Sequence, residues 1–324
     1  MTPARTALLL AAVLALPACS SDAPPATAAS CSGPATVSDA AGLRDALAGA
    51  VPGDVIVLAD GDYAGSFEAT ATGSLPEPIT VCGSRQARLV GDAVDTGYTL
   101  HLDGAAYWRL QGFSVTGGQK GVVLDGSSHN EVRDLQVSAV GDEALHLRTG
   151  SSDNLVTGVE IRDTGRFQPE YGEGIYVGSA ESNWCDLTDC EPDRSDDNRI
   201  VGNDVQDTTA EAVDIKEGTT GGELRDNVLR GGSGEVDSVV DLKGNDWTVR
   251  DNRVTAEGAD AIQVHVILDG WGRDNAVVEN SFTLTRPGYA VNVVGAAEHA
   301  GNVVGCEQPM KPEGLGEMTN VACR

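Results

Sequence analysis

Seven short segments of the sequence carry chemically active side chains at matching positions: GVVLDG from Gly121, ALHLRTG from Ala144, GIYVGS from Gly174, AVDIKEG from Ala212, VVDLKGN from Val239, AIQVHV from Ala261 and AVNVVG from Ala290. Aligned, they give one column of Val123, His146, Tyr176, Asp214, Asp241, Gln263 and Asn292, and another, two residues on, of Asp125, Arg148, Gly178, Lys216, Lys243, His265 and Val294. The residues leading into the segments are Lys120, Glu143, Glu173, Glu211, Ser238 and Asp260. This set suits β-elimination from a uronate. That reaction needs a cation against the sugar carboxylate, a base for the acidified neighbouring proton and a donor for the leaving glycosidic oxygen. Lys216 is the expected base, because a second cation beside it, Lys243, disfavours the ammonium form and moves the pKa toward the operating pH. Lys243, Arg148 and His265 are the candidates to assist as cation or acid. His146, Tyr176, Asp241, Gln263 and Trp271 are expected to bind substrate, and Glu173, Glu211 and Asp214, all oxygen donors, to hold a Ca²⁺ that clamps the carboxylate.

Two other chemistries draw on the same columns. Paired carboxylates, Asp214 with Asp241 or Glu173 with Glu211, suit a glycoside hydrolase, and the set is also compatible with an epimerase. A non-catalytic surface protein would instead bind glycan along Tyr176, Trp184 and Trp271. The unpaired lysine at 216 favours elimination, since neither rival has an evident need for a base there.

What must position these residues is a repeat. Each segment alternates apolar and variable residues, the period of a strand with one buried face. The leading residues are spaced 23, 30, 38, 27 and 22 apart, a short period with insertions, so stacked turns of a parallel coil are expected, each burying its apolar side only against its neighbours. A second strand set follows in each turn: NEVRDLQV from Asn130, NLVTGVEI from Asn154, NRIVGNDV from Asn198, GELRDNVL from Gly222, WTVRDNRV from Trp247 and NAVVENSF from Asn275. Within it Asn203, Asn227, Asn252 and Asn280 form a column, expected to bond amide to amide along the coil. Residues 38–50 read as an amphipathic helix with Ser38 as N-cap and Leu43 and Leu47 on one face, closing the open end of the coil. The insertions RFQPEYG before Glu173 and Cys185 to Cys190 should flank the same stretch of strand face. The fold class is therefore all-β, a parallel β-helix with an N-terminal capping helix, forming a single domain over residues 37–324.

Composition sets the compartment and the partners. Twenty-two Lys and Arg against 49 Asp and Glu give a net charge of −27, which excludes broad electrostatic attraction to nucleic acid. Residues 1–18 read as a lipoprotein signal peptide, with Arg5 ahead of an apolar run, Ala7 to Leu16, too short to anchor in a bilayer. Leu16-Pro17-Ala18-Cys19-Ser20 resembles a bacterial lipobox, which makes Cys19 the lipidated residue, and residues 19–36 a flexible tether. The alternative is full secretion after cleavage near Ala28. Six cysteines then remain, an even number in an exported chain, and proximity in sequence pairs Cys31 with Cys82, Cys185 with Cys190 and Cys306 with Cys323. A bacterial cell-surface lipoprotein is expected, monomeric, with a polysaccharide and the outer leaflet of a membrane as its partners.

The strings ALAGAVPGDVIVLADGDYAG from Ala46, EPITVCG from Glu77 and YWRLQGFSVTGG from Tyr107 resemble the opening of secreted right-handed parallel β-helix proteins of the pectin-lyase-like kind, nearest the chondroitinase B and alginate lyase group of polysaccharide lyases. The resemblance covers roughly residues 38–295. In that group a metal-binding glutamate precedes the base lysine by five positions, the spacing of Glu211 and Lys216 in EAVDIK, so the resemblance implies a ligand role for the first and a base role for the second. Thr209 stands where the group has a second glutamate, and SVVDLKGN lacks its arginine acid, for which Lys243, Arg148 or His265 would substitute.

Lipidation is tested directly: labelled palmitate fed to the producing bacterium is expected in the wild type and absent from Cys19→Ala. Equal labelling of both, or a soluble mature form beginning near Ser30, contradicts the anchor.

Overall fold

The computed structural model describes residues 31, 36–232, 236–310 and 315–324, which belong to one compact unit, Cys31–Arg324. The stretch read as a signal peptide, Cys19 and most of the residues read as a tether lie outside the described residues. The chain winds as a right-handed parallel β-helix with three sheets. The first has ten strands, from Val55–Val57 to Val303–Val304; the second nine, from Gly61–Ala64 to Ser281–Leu284; the third ten, from Phe67–Ala69 to Glu317–Thr319. All pairings between them are parallel and join consecutive turns.

Each stretch read as one second strand is in fact two. NEVRDLQV splits into Glu131–Arg133 and Gln136–Ser138, with Asp134 between them at φ 53°. On other turns the same bend is Gly158, Gly202, Asp226 and Asp251, all at positive φ. Aspartate tolerates this left-handed geometry better than most residues, so the bend needs no glycine and leaves little mark on the pattern. The third-sheet strands point Leu145, Leu147, Ile175, Val177, Val213, Ile215, Val240 and Leu242 inward at 0% exposure. Stacked aliphatic side chains suffice here, each contributing about 1.5–3 kcal/mol of burial, which explains how a chain with 4% aromatic residues sustains its core.

Two amide ladders line the interior. In one, which begins with Asn203 as donor, Asn227, Asn252, Asn280 and Gln308 each accept from the backbone N–H and side-chain amide of the asparagine one turn before. The other runs Asn130, Asn154, Asn198 and resumes at Asn275 and Asn302. Between these segments stand Gly222 and Trp247, and a Cβ on Gly222 would come 2.2 Å from the Trp247 indole. The glycine makes the room that the tryptophan fills.

The capping helix is Ala40–Ala48, with Leu43 and Leu47 buried. Its N-cap is Asp39, whose carboxylate accepts from the Gly42 N–H at 2.8 Å, and not Ser38; the ionised acceptor is the stronger partner for a helix N-terminus. All three disulfides, 31–82, 185–190 and 306–323, are formed. No helix among the described residues is long and apolar enough to cross a membrane.

The ladder makes a stability prediction. Asn252→Ala removes the acceptor for the Asn227 N–H and side-chain amide, stranding two buried donors. Unsatisfied buried groups cost about 1–3 kcal/mol each, so the urea midpoint should fall by the equivalent of roughly 2–4 kcal/mol with an unchanged slope. A loss under about 0.5 kcal/mol would show the ladder to be dispensable.

Candidate functional site

The strand register carries the sequence columns into space. His146 pairs with Tyr176, Tyr176 with Asp214, Asp214 with Asp241, Asp241 with Gln263 and Gln263 with Asn292. Neighbours lie about 4.8 Å apart along the coil. Lys216 and Lys243 each follow their strand directly, and their N–H groups continue its ladder onto the Val177 and Ile215 carbonyls.

The column is no solvated face. Asp214 is 2% exposed, His146 4%, Lys243 5% and Tyr176 8%. At the centre Asp214 lies between both lysines: Lys216 Nζ donates to one oxygen at 2.7 Å and Lys243 Nζ to the other at 2.9 Å. Lys243 also reaches Asp241, at 2.5 Å. Beyond it, His265 Nε2 is 2.6 Å from Gln263 Oε1 and 3.6 Å from Asp241 Oδ1. The like charges anticipated on neighbouring turns are thus interleaved with opposite ones.

This overturns one expectation. Burial opposes the ammonium form of both lysines, but Asp214 outweighs burial and raises each pKa. Lys216 therefore rests as an ammonium, because the carboxylate between the two cations acts more strongly on each than they act on one another. For Asp214 itself, burial pushes the carboxyl up and the two lysines bring it below its usual range.

Tyr176 bridges two groups of residues. Its ring meets His146 edge-on, with centroids 4.3 Å apart, and Lys216 Nζ sits 5.1 Å from its centroid. Burial, then Asp214 and Glu173, push its phenol well up, which keeps it neutral. His146 donates from Nε2 to the Gly178 carbonyl at 2.9 Å, and its Nδ1 is 3.2 Å from Glu143; burial holds its pKa below the usual imidazole value. Burial raises the Glu143 carboxyl, but His146 and Lys120, which bonds both its oxygens, outweigh that and hold it at about 2.

Glu173, Glu211 and Asp214 do converge, offering oxygens within 4.8 Å of one another; a second triad, Glu211, Asp237 and Asp241, shares Glu211. Asp237 escaped sequence reading because it sits one place before the leading column, where Ser238 stands. Burial, then Asp214, bring Glu211 up to about 7, and burial, then Glu143, raise Glu173 well above its usual value. One buried oxygen of Glu173 has no hydrogen-bond partner. Oxygen donors only, with an unpartnered one among them, fit a hard cation such as Ca²⁺.

Other expected residues are placed elsewhere. Arg148 is paired with Asp125 at 2.6 Å and donates to Tyr98 Oη at 2.8 Å, within a group that also includes His101. The turn of Gly178 separates it from Lys216. Gly178 is left-handed, φ +79°, and a Cβ there would lie 2.6 Å from Thr219 Cγ2, so the column is notched beside Lys216. Gln263 is tied to Asp260 at 2.8 Å. Trp184 is buried, its indole on the Ser179 carbonyl. Trp271 lies off the strands under Arg194, 5.6 Å from guanidinium carbon to ring centroid. Of the three aromatics expected in a binding groove, Tyr176 and Trp184 are therefore enclosed. The insertions lie at the two ends of strand Ile175–Val177, and Phe167 and Tyr171 on the first are about half exposed, apolar surface that no periodic pattern could have flagged.

Residues 100–302 match the family described as periplasmic copper-binding protein (NosD). An alginate lyase from Paenibacillus sp. str. FPU-7 is 35% identical, with a TM-score of 0.80 over 88% of this chain and 97% of that one. The pectate lyase Pel9A has a TM-score of 0.56 at 14% identity, over 82% of this chain and 72% of that one. The Streptococcus pneumoniae surface protein and adhesin PfbA has a TM-score of 0.54 at 9% identity, over 90% and 96%. These last two share the fold alone. Comparison with the curated proteins gave no match.

The Glu143 contacts give a pH dependence. Its folded pKa lies below the unfolded value, so its stabilisation is present above about pH 4.5 and lost as pH falls toward about 2. Glu143→Gln should cost on the order of 2–4 kcal/mol at pH 7, with the gap to wild type closing in urea titrations between about pH 5 and pH 2. A gap that stays constant over that range would mean the carboxylate charge is not what stabilises.

Proposed function

We propose that this chain, which belongs to the parallel β-helix family described as periplasmic copper-binding protein (NosD) and is 35% identical to an alginate lyase, is itself a polysaccharide lyase that cleaves a uronate-containing glycan by β-elimination. The observation that carries the reading is the buried array Lys216, Asp214, Lys243 and Asp241 beside the neutral phenol of Tyr176. Its two ammonium groups balance its two carboxylates, so a sugar carboxylate entering near Lys216 meets a site without excess negative charge from these four.

In the reaction the proton alpha to the uronate carboxylate is removed, its electron pair forms the ring double bond, and the bond to the glycosidic oxygen breaks as that oxygen gains a proton. Lys216 handles the proton. As Lys216 rests as an ammonium, it must first release a proton to solvent; the amine so formed takes the alpha proton, and the resulting ammonium, or the Tyr176 phenol, returns one to the leaving oxygen. Asp214 fixes where the lysine nitrogen stands, and Lys243 keeps Asp214 ionised. His265, bonded to Gln263 near Asp241, is the further candidate for proton transfer, while Arg148, held by Asp125, is assigned to binding sugar away from the scission point. Glu173, Glu211 and Asp214 would hold Ca²⁺, which supplies charge neutralisation of the sugar carboxylate when bound. That oxygen-only set suits calcium and not copper, which takes nitrogen and sulfur donors.

A paired-carboxylate hydrolase is the weaker reading, since Asp214 and Asp241 are both engaged by Lys243. Three disulfides favour an extracellular or periplasmic location, and lipidation at Cys19 would hold the protein at the surface.

Lys216→Ala should lower turnover about 10²–10⁴-fold, and Lys216→Arg should fail to restore it, since guanidinium stays protonated. The products should carry an unsaturated uronate at the new non-reducing end, read by ultraviolet absorbance and mass. Activity retained by the arginine variant would make residue 216 a fixed cation and not a base. Products with new reducing ends but no unsaturation would replace the lyase with a hydrolase.

A further inference from the structure

At the corner between the third and first sheets, eight successive turns carry a residue with left-handed backbone just before the first-sheet strand. On six turns that residue is Asp153, Asp197, Gly221, Asp246, Asp274 or Gly301, types that adopt this geometry readily. On the two turns preceding these it is Tyr107, at φ 58°, and His129, at φ 60°. Histidine tolerates this geometry better than most residues, but a bulky tyrosine is an outlier there. At Tyr107 backbone comfort is sacrificed for something the side chain provides, and strain of this kind gathers at ligand-holding sites.

The two rings stack with centroids 4.9 Å apart and planes 16° from parallel. They border a cavity of about 270 Å³ with Ser74, Leu75 and Pro78, from the 71–78 segment, in its wall. That wall is fixed from beneath: the buried Trp108 donates its indole N–H to the Ala71 carbonyl at 2.7 Å. Leu75 stands over the cavity 78% exposed, without a partner in the fold to account for it. The polar rim pairs donors with acceptors, with Arg109 3.4 Å from Glu131 and His129 Nδ1 3.8 Å from Asp153. Aromatic faces beside paired donors and acceptors, in a cavity about the size of one ring, match the alternation of C–H faces and hydroxyl edges on a pyranose.

We propose that Tyr107 and His129 form a second carbohydrate-binding site, a stacking platform that holds a sugar ring of the glycan away from the point of cleavage. The platform lies three to four turns from Lys216, roughly 15–20 Å along the coil, at the corner that also carries the Cys185–Cys190 insertion. A polymer laid along the axis reaches both. The identity of that polymer rests on the lyase reading; the platform does not.

The protein's five histidines make the test local. In the Lys216→Ala protein, which should not turn over, ring resonances of ¹³C-labelled histidine are followed while oligosaccharides of alginate, polygalacturonate, chondroitin and cellulose are added in turn. With at least one of them the His129 resonance should shift in a saturable way, and Tyr107→Gly, which installs a residue this corner uses elsewhere, should weaken that binding at least fivefold while leaving thermal unfolding unchanged or improved. In otherwise wild-type protein, Tyr107→Gly should raise KM for the polymer several-fold with kcat unchanged. A shift at His265 without one at His129 overturns the platform and leaves the lyase reading standing. A shift at His129 alone supports the platform and removes that glycan as the substrate. No shift at either residue with any of the four overturns the platform.

Discussion

Each turn of the coil points its strand N–H and C=O groups along the axis, so every turn depends on the turns above and below for hydrogen bonds that water would otherwise supply. From this follow the parallel pairing of all three sheets, the strict register of the side-chain columns and the need for closed ends. The asparagine ladders extend the same dependence to side chains, since each amide serves both the backbone and the amide of its neighbour. A helix over Leu43 and Leu47 covers one end, where the next turn is missing.

Register is also what concentrates charge. Because equivalent residues sit one strand spacing apart, an acid repeated on successive turns meets itself unless a cation comes between. The interior solves this by burying Lys243 between Asp214 and Asp241 and by letting Asp214 serve two lysines. Where no lysine intervenes, at Glu173 and Glu211, burial and neighbouring carboxylates raise the pKa. One geometric rule thus produces both the ionised and the protonation-prone members of the site. The same rule places a neutral phenol, a neutral imidazole and an ammonium within one small area.

The columns of His146, Tyr176, Asp214 and Asp241 were legible in sequence because a strand period of two and a one-turn repeat fix neighbours without reference to anything distant. Cysteine pairing was legible for a similar reason, each bond being local. The split of NEVRDLQV was hidden, since aspartate at 134 turns the chain without the glycine that usually announces a turn. The protonation of Lys216 was hidden too: columns show which side chains are level with each other, whereas Asp214 and Lys243 meet on a diagonal between two columns. The enclosure of Trp184 and the cover over Trp271 depend on insertions, whose paths no repeat dictates.

Among the described residues ten aspartates occupy left-handed positions, several in lines that run from turn to turn. About a fifth of the chain's 49 acidic residues are therefore architectural. A coil bearing acids along its corners at intervals of about 4.8 Å or small multiples of it is a polyelectrolyte in its own right. It gathers a sheath of mobile counterions, as other closely charged rods do. A polyuronate approaching such a rod brings its own sheath, and the two repel until added salt shortens the reach of both to about 8 Å at physiological strength. Encounter between this protein and an anionic polymer should then quicken as ionic strength rises, opposite to the behaviour of proteins that capture polyanions on basic surfaces, and well suited to saline surroundings.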